Sequence, residues 1–333
     1  MRRGSLVQLV ALGVVIGAAA TVVALVVPWL PPNAAEERDG IDLVFWFTTA
    51  ICIGIFALVG SVILYSVVKF RVRPDDDTDG PPIHGHTGIE ILWTAIPAIL
   101  VTAISVISGV VLVQNDRPDK NHMNVDVLAR QFAWTFTYPD HQNLTSAQLR
   151  LPLGRSVELH FDAADVIHSF WVPEFGQKQD AVPGQDTKLV ITPTKLGTYP
   201  VICTELCGLG HALMRTSAIV MTPAAFDAWV RKQGQALNAP PGEAGKAVFT
   251  SNGCASCHTF EAAGATGKTG PDLDKLPGYA QQAGKPLEAF VKESIVDPNA
   301  YVQPGFPKGV MPPFELPADQ LDALVSFLTK GSK

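Results

Sequence analysis

Three long apolar runs, separated by short polar breaks, fill the first 114 residues, at 6–30, about 43–68 and about 89–113. Each reaches the roughly 20 residues that a helix needs to cross the hydrocarbon core of a bilayer. From about 122 to 222 the rhythm shortens. Runs rich in β-branched and aromatic residues lie at 124–138, 156–161, 168–172, 187–192, 197–202 and 216–221. Leu153-Gly154, Pro183-Gly184 and Leu196-Gly197 punctuate them. Many short strands at this spacing predict a β-sandwich or barrel. Beyond 243 the pattern turns helical, at 243–250, 286–296 and 317–329. In the last of these, Leu321, Leu324, Val325 and Leu328 follow the i, i+3, i+4, i+7 rule of one buried helix face. The expected architecture is therefore multidomain: transmembrane helices, an all-β domain, then an all-α domain.

The boundaries follow from these shifts. Residues 1–40 hold a signal peptide or an extra transmembrane helix, and 41–115 a transmembrane hairpin. The β-domain spans 116–234, 235–242 is a linker, and 243–333 is the helical domain. The first run has a basic start and small residues near 17–20 and 33–35, so a cleaved signal and a retained helix both fit. A flexible linker of 8 residues would span roughly 15–17 Å as a random coil. Basic residues flank the runs at Arg2, Arg3, Lys69, Arg71 and Arg73, and acidic Glu36, Glu37, Asp39 and Asp42 sit between the first two. By the positive-inside rule the basic flanks are cytoplasmic and everything after Gln114 is outside.

Charged residues make up 17% of the chain, well below the ~25% of ordinary soluble domains, in keeping with the apolar runs. The formal net charge is -6, and no segment is strongly basic, so a nucleic-acid groove is excluded. Glu90, near the start of the third run, is a carboxylate close to lipid and hence a functional candidate, unless it simply marks the inner interface in water.

Four of the five cysteines form two close pairs, each followed by a histidine. Cys203, Glu205, Cys207, His211 and Met214 fall within twelve residues, with His168 35 residues upstream. Thiolate and thioether donors favour copper. One cupredoxin copper needs one cysteine, whereas two bridging thiolates can hold two coppers. A Cys2His2 zinc site and a plain disulfide are the competing readings. The second pair, Cys254-Ala-Ser-Cys257-His258, is the attachment signature of c-type haem, with a thioredoxin-like redox pair as its rival. Met311, the only methionine downstream, is the candidate second axial ligand.

The run from Gly184 to Met214, with His168-Ser-Phe-Trp-Val-Pro before it, resembles subunit II of the haem–copper cytochrome c oxidases. His86-Thr-Gly-Ile-Glu90-Ile-Leu-Trp93-Thr-Ala-Ile-Pro97 resembles the second helix of that family's hairpin. The resemblance implies a dinuclear CuA centre held by His168, Cys203, Cys207, His211, Met214 and the Glu205 carbonyl. It also implies that the Glu205 carboxylate reaches a magnesium shared with the catalytic subunit, and that Glu90 stands near a proton entry. The segment 243–333 resembles a class I cytochrome c, with Thr269-Gly-Pro271-Asp-Leu273 near the histidine ligand and Met311-Pro-Pro-Phe as the methionine loop. Together they point to caa-type oxidases, in which that cytochrome is fused to subunit II.

The implied role is electron entry. An external donor reduces haem c, the copper pair follows, and oxygen is reduced to water in subunit I, so this chain carries no oxygen-reducing residues. The implied partners are subunit I and other oxidase subunits, and the implied setting is a prokaryotic plasma membrane with both redox domains on its outer face. A membrane-anchored carrier serving another acceptor is the alternative. Within Gln131-Phe132-Ala133-Trp134-Thr-Phe136-Thr-Tyr138, Phe132 replaces the tryptophan that the family uses for entry from soluble cytochrome c. That departure suits a tethered donor, whose effective concentration is of order mM.

Overall fold

A computed structural model describes residues 3–71, 82, 84–237 and 239–333. Arg2, Arg73 and Asn238 of the linker lie outside the described residues. Contacts divide the chain into two units, one of Met1–Pro32 with Arg38–Asn115 and one of Asn33–Glu37 with Asp116–Lys333.

In the first unit, α1 (Arg3–Val26), α2 (Glu37–Lys69) and α3 (Thr87–Asn115) are each long and apolar enough to span a membrane. Most of their large side chains, such as Val22, Leu58, Val67 and Ile99, face outward, as a lipid solvent requires. Small residues mark the close approaches. A methyl group on Gly17 would touch Ala57 Cβ at 3.4 Å, and one on Gly40 would lie 2.8 Å from Val111 Cγ1. Glu90 accepts from the His86 backbone N–H at 3.0 Å, while His86 Nδ1 accepts from Ile89 N–H at 3.3 Å. This reciprocal arrangement caps α3 and gives Glu90 a structural task whatever else it does.

The second unit contains a sandwich of two five-stranded sheets. Its strands are β1 (Met123–Arg130), β2 (Ala133–Tyr138), β3 (Leu144–Ser146), β4 (Leu149–Pro152), β5 (Val157–Ala163), β6 (His168–Trp171), β7 (Lys178–Ala181), β8 (Thr187–Ile191), β9 (Gly197–Cys203) and β10 (Arg215–Met221). One sheet runs β3-β2-β1-β5-β8, the other β4-β10-β9-β6-β7. The pairs β1·β5 and β4·β10 are parallel and the rest antiparallel. The apolar run at 124–138 is two strands, folded back at Gln131-Phe132, with Ala129 opposite Trp134. The alternation places Trp134, Phe136 and Tyr138 in the core. There Phe170 meets Trp134, Phe136 and Phe161 at ring distances of 5.6, 6.4 and 5.2 Å. Strands β3, β4 and β7 are too short and mixed in polarity for periodicity to announce them.

The segment 235–242 is not a free spacer. The helix α4 (Pro223–Leu237) reaches into it, and α5 (Pro241–Ser251) begins before it ends. Phe226 and Trp229 of α4 lie against Tyr138, at 6.1 and 5.2 Å between rings. Burial of this face keeps the chain helical to Leu237, and Pro241 takes the first helical position, where its missing N–H costs nothing. The random-coil estimate for the linker therefore does not apply.

The helical domain continues with a short hairpin, β11 (Thr259–Phe260) and β12 (Ala265–Thr266), then α6 (Leu276–Gln282), α7 (Leu287–Val296) and α8 (Ala318–Gly331). Its core joins Val248, Phe249 and Phe260 to Leu324, Val325 and Leu328. Where α5 crosses α8, a methyl group on Gly245 would fall 2.2 Å from the Ala323 carbonyl oxygen. Only glycine permits that approach.

Candidate metal and haem sites

Two loops at one end of the sandwich build the first site. His168 opens β6 and Cys203 closes β9, and the two strands are neighbours, with Phe170 opposite Cys203. The loop after β9 then turns through Gly208, at φ +131°, and a 3-10 turn at His211–Leu213 before β10. Folding brings six donors together. The sulfurs of Cys203 and Cys207 stand 3.9 Å apart, well beyond a disulfide bond. His168 Nδ1 is 4.0 Å from the Cys203 sulfur, and His211 Nδ1 is 3.6 Å from that of Cys207. Met214 Sδ is 3.8 Å from the Cys207 sulfur, and the Glu205 carbonyl is 3.3 Å from that of Cys203. His168, both cysteines and Met214 are buried, while the Glu205 carboxylate faces outward.

The electrostatics suit a cation. Burial pushes the Cys203 thiol up, but the His168 imidazole and nearby backbone groups outweigh it and the net direction is down. Cys207 moves up, through burial and then the neighbouring Cys203 sulfur. Two thiolates this close repel, and a metal ion between them removes the penalty. Each sulfur has one imidazole and one weak donor beside it. A tetrahedral zinc uses four donors and leaves Met214 and the Glu205 carbonyl without a task, so the set fits two soft ions better than one zinc.

Periodicity passed over the residues that orient these ligands. Asp165 Oδ1 lies 2.8 Å from His168 Nε2, which turns Nδ1 toward the sulfurs. Asp165 Oδ2 accepts from Gln131 N–H at 2.7 Å, and the Gln131 side-chain amide donates to the Cys207 carbonyl. Burial would raise the Asp165 carboxyl, but these hydrogen bonds outweigh it and hold it below the usual aspartate range. Phe132 covers the ligand loop. A methyl group on Gly210 would lie 2.4 Å from its ring. An aspartate three residues before the histidine was the one legible signal for this shell.

The second site lies in the helical domain. Cys254, in a 3-10 turn, and Cys257, at its end, stand beside His258. His258 Nδ1 is bonded to the Pro271 carbonyl at 2.8 Å, which leaves Nε2 for a metal. Gly270 backs the ring, and a methyl group there would lie 2.6 Å from His258 Cε1. Burial pushes the Cys254 thiol up to about 12, pushes Cys257 up as well, and pushes the imidazole down. A thioredoxin-like nucleophile needs a lowered thiol pKa, so these cysteines do not resemble one. They fit haem attachment, with His258 neutral and ready to ligate. Met311 is half-buried in the coil before α8, between two tethers. Gly309 N–H donates to Asn299 Oδ1 at 2.8 Å, and Phe314 N–H to the Ile295 carbonyl at 3.0 Å.

Three helices long and apolar enough to cross a membrane, a cupredoxin-like sandwich with a soft-donor pocket and a helical module with a Cys-x-x-Cys-His sequence define a membrane redox protein of modular build. Comparison with known proteins names the family. The model of the cytochrome c oxidase subunit II transmembrane domain matches residues 22–111, that of its periplasmic domain 145–222, and that of cytochrome c 242–332. The chain is 35% identical over 258 residues to a cytochrome c oxidase subunit 2 of Synechocystis sp., covering 63% of this chain and 76% of that one. It is 35% identical over 268 residues to that of Thermostichus vulcanus, covering 64% and 80%. To that of Alkalihalophilus pseudofirmus it is 30% identical over 310 residues, covering 89% and 87%. The chain belongs to the cytochrome c oxidase subunit II family and carries a C-terminal cytochrome c domain.

Proposed function

We propose that this chain is the electron-entry subunit of a cytochrome c oxidase. Cys254 and Cys257 would hold haem c through their thiols, with His258 and Met311 as its iron ligands. His168, Cys203, Cys207, His211, Met214 and the Glu205 carbonyl hold a dinuclear copper centre. When bound, these groups supply one-electron chemistry, the haem taking electrons from an external donor and the copper pair passing them to subunit I, where oxygen is reduced to water.

The observation that carries this reading is the donor arrangement: two sulfurs 3.9 Å apart, each with its own imidazole and its own weak donor. The chain's residues act by holding that arrangement still. Asp165 fixes His168, Gln131 fixes the loop carbonyl at Cys207, and Phe132 seals the loop beneath Gly208 and Gly210. A rigid donor set keeps geometry nearly constant between oxidation states. Outside it, Leu206 and Leu209 are 80% and 95% exposed. An apolar rim of this kind fits burial against subunit I. The outward Glu205 carboxylate, beside that rim, contributes to a magnesium at the same boundary. Lys69, the last residue of α2, and Arg71 just after it support a topology with that end in the cytoplasm and with the sandwich and cytochrome domain on the outer face of a prokaryotic plasma membrane.

Electron paramagnetic resonance with metal analysis tests the centre. The expected spectrum is that of one unpaired electron shared by two copper nuclei. Cys207→Ser should abolish it and leave the haem absorbance intact. Zinc, or one copper per chain with the signal of a single nucleus, would overturn the reading.

A further inference from the structure

The cytochrome domain's methionine loop is gripped by the same turn that braces the metal pocket. Arg130, the last residue of β1, donates from Nη1 to the Pro313 carbonyl at 3.0 Å. Its guanidinium lies 5.2 Å from the centre of the Phe314 ring. Its buried Nε has no hydrogen-bond partner among the described residues. Burial pushes the Arg130 guanidinium pKa down, and the charges of Asp165 and Glu315 offset part of that. Directly after Arg130, Gln131 bonds both to Asp165 and to the Cys207 carbonyl, and Phe132 lies on Gly208 and Gly210. On the other side of the contact, Phe314 N–H is anchored to the end of α7 through the Ile295 carbonyl.

We propose that Arg130 is a positioning residue that clamps the Met311–Phe314 loop onto the β1–β2 turn, so that the cytochrome domain is held in one docked pose on that turn rather than moving as a tethered donor. The proposal rests on the reading of the two redox groups above. It adds that their coupling depends on a hydrogen bond and a cation–π contact between the domains, and not on proximity by tether. Only three residues, 238–240, separate α4 from α5, which suits a fixed pose. The step at stake moves one electron from the haem iron, oxidised from ferrous to ferric, to the copper pair, reduced by one. No atom or proton changes hands.

The test uses the complete oxidase with Arg130→Ala and, as a milder second variant, Phe314→Leu. Electrons are injected at the haem by light, and reduction of copper is followed. In Arg130→Ala the internal transfer should slow by at least about tenfold, since a charged hydrogen bond and a cation–π contact are lost together. Both midpoint potentials and the copper signal should stay as in the parent, and hydrogen exchange of the amides at 309–316 should quicken. Phe314→Leu should fall between the two. Unchanged transfer and unchanged exchange in both variants would overturn the clamp, as would loss of the copper signal in Arg130→Ala, which would make Arg130 a support of the metal pocket only. A parent protein without a dinuclear copper signal would instead defeat the functional reading, so the two failures are told apart.

Discussion

The three histidines assigned to metals each expose one ring nitrogen because the other, or the fold around it, is already committed. His168 turns Nδ1 to the sulfurs since Nε2 faces Asp165, and His258 keeps Nε2 free since Nδ1 is bonded to Pro271. His211 offers Nδ1 to Cys207 from the 3-10 turn that follows the ligand loop. Such partners fix ring orientation before a metal arrives. Glycines do the same for the backbone. A side chain at Gly210 would collide with the Phe132 ring, so Gly210→Ala should destabilise the sandwich by about 1–3 kcal/mol, the usual cost of overpacking. It should also lower copper content. Pairing it with Phe132→Ala should recover part of both losses, because the two side chains compete for one space. Denaturant melts and copper-to-protein ratios on the single and double variants check this. Equal, additive losses would show that Phe132 is not the obstacle.

Among the elements, α5 and α8 set the cytochrome domain. They cross at Gly245, where the obstruction to a side chain is backbone, the Ala323 carbonyl, with Phe327 Cβ beside it. Backbone cannot swing aside as a side-chain tip can, so Gly245→Ala must push the helices apart. We expect a loss near the upper end of that same ~1–3 kcal/mol range, read as a lower thermal midpoint of the haem absorbance. Gly278 in α6 is the control, since a methyl group there meets nothing within 4 Å. Gly278→Ala should be neutral or stabilise by up to about 1 kcal/mol through helix propensity. Similar melting of the two variants would refute the packing argument. At this scale α8 was legible, for its apolar stripe of Leu321, Leu324, Val325 and Leu328 is buried as expected. The helix α4, with Phe226, Trp229 and Val230 at helical spacing, adds to the predicted elements. It starts at Thr222-Pro223, where Thr222 Oγ1 accepts from Ala225 N–H at 3.3 Å, and its apolar face docks on Tyr138, a partner remote in sequence.

For the whole molecule, the metal pocket is a joint between strands. Its donors come from the start of β6, the end of β9 and the loop before β10, so an ion there ties those elements together. A ligand that binds only the folded state stabilises it by mass action, by about 4 kcal/mol at a thousandfold excess over its dissociation constant. Stripping copper with a chelator should therefore lower the unfolding temperature of the sandwich and leave that of the haem domain unchanged, as seen by calorimetry with haem absorbance in parallel. An unaltered sandwich transition would mean that the pocket is formed at no gain from the ion. Copper binding must also displace the proton held on Cys207, so affinity should fall as the pH is lowered.

The linear order of residues carried the class of each part, because class depends on local chemistry: apolar length for the spans, alternation for the strands, and close thiol–imidazole spacing for the two redox sites. It could name Cys203, Cys207, His211 and Met214 together since they are neighbours along the chain, and it offered His168, 35 residues upstream, as a further imidazole that the family resemblance then implied as a ligand. Folding alone supplied what depends on distance between remote residues. It seated Asp165 and Gln131 behind the ligands, turned Phe132 onto the ligand loop, and drew both ends of the expected spacer into α4 and α5. It also brought Arg130 to the loop after Met311, a contact 183 positions apart in sequence. Such pairings arise from packing two cores side by side, and no period in the sequence encodes them.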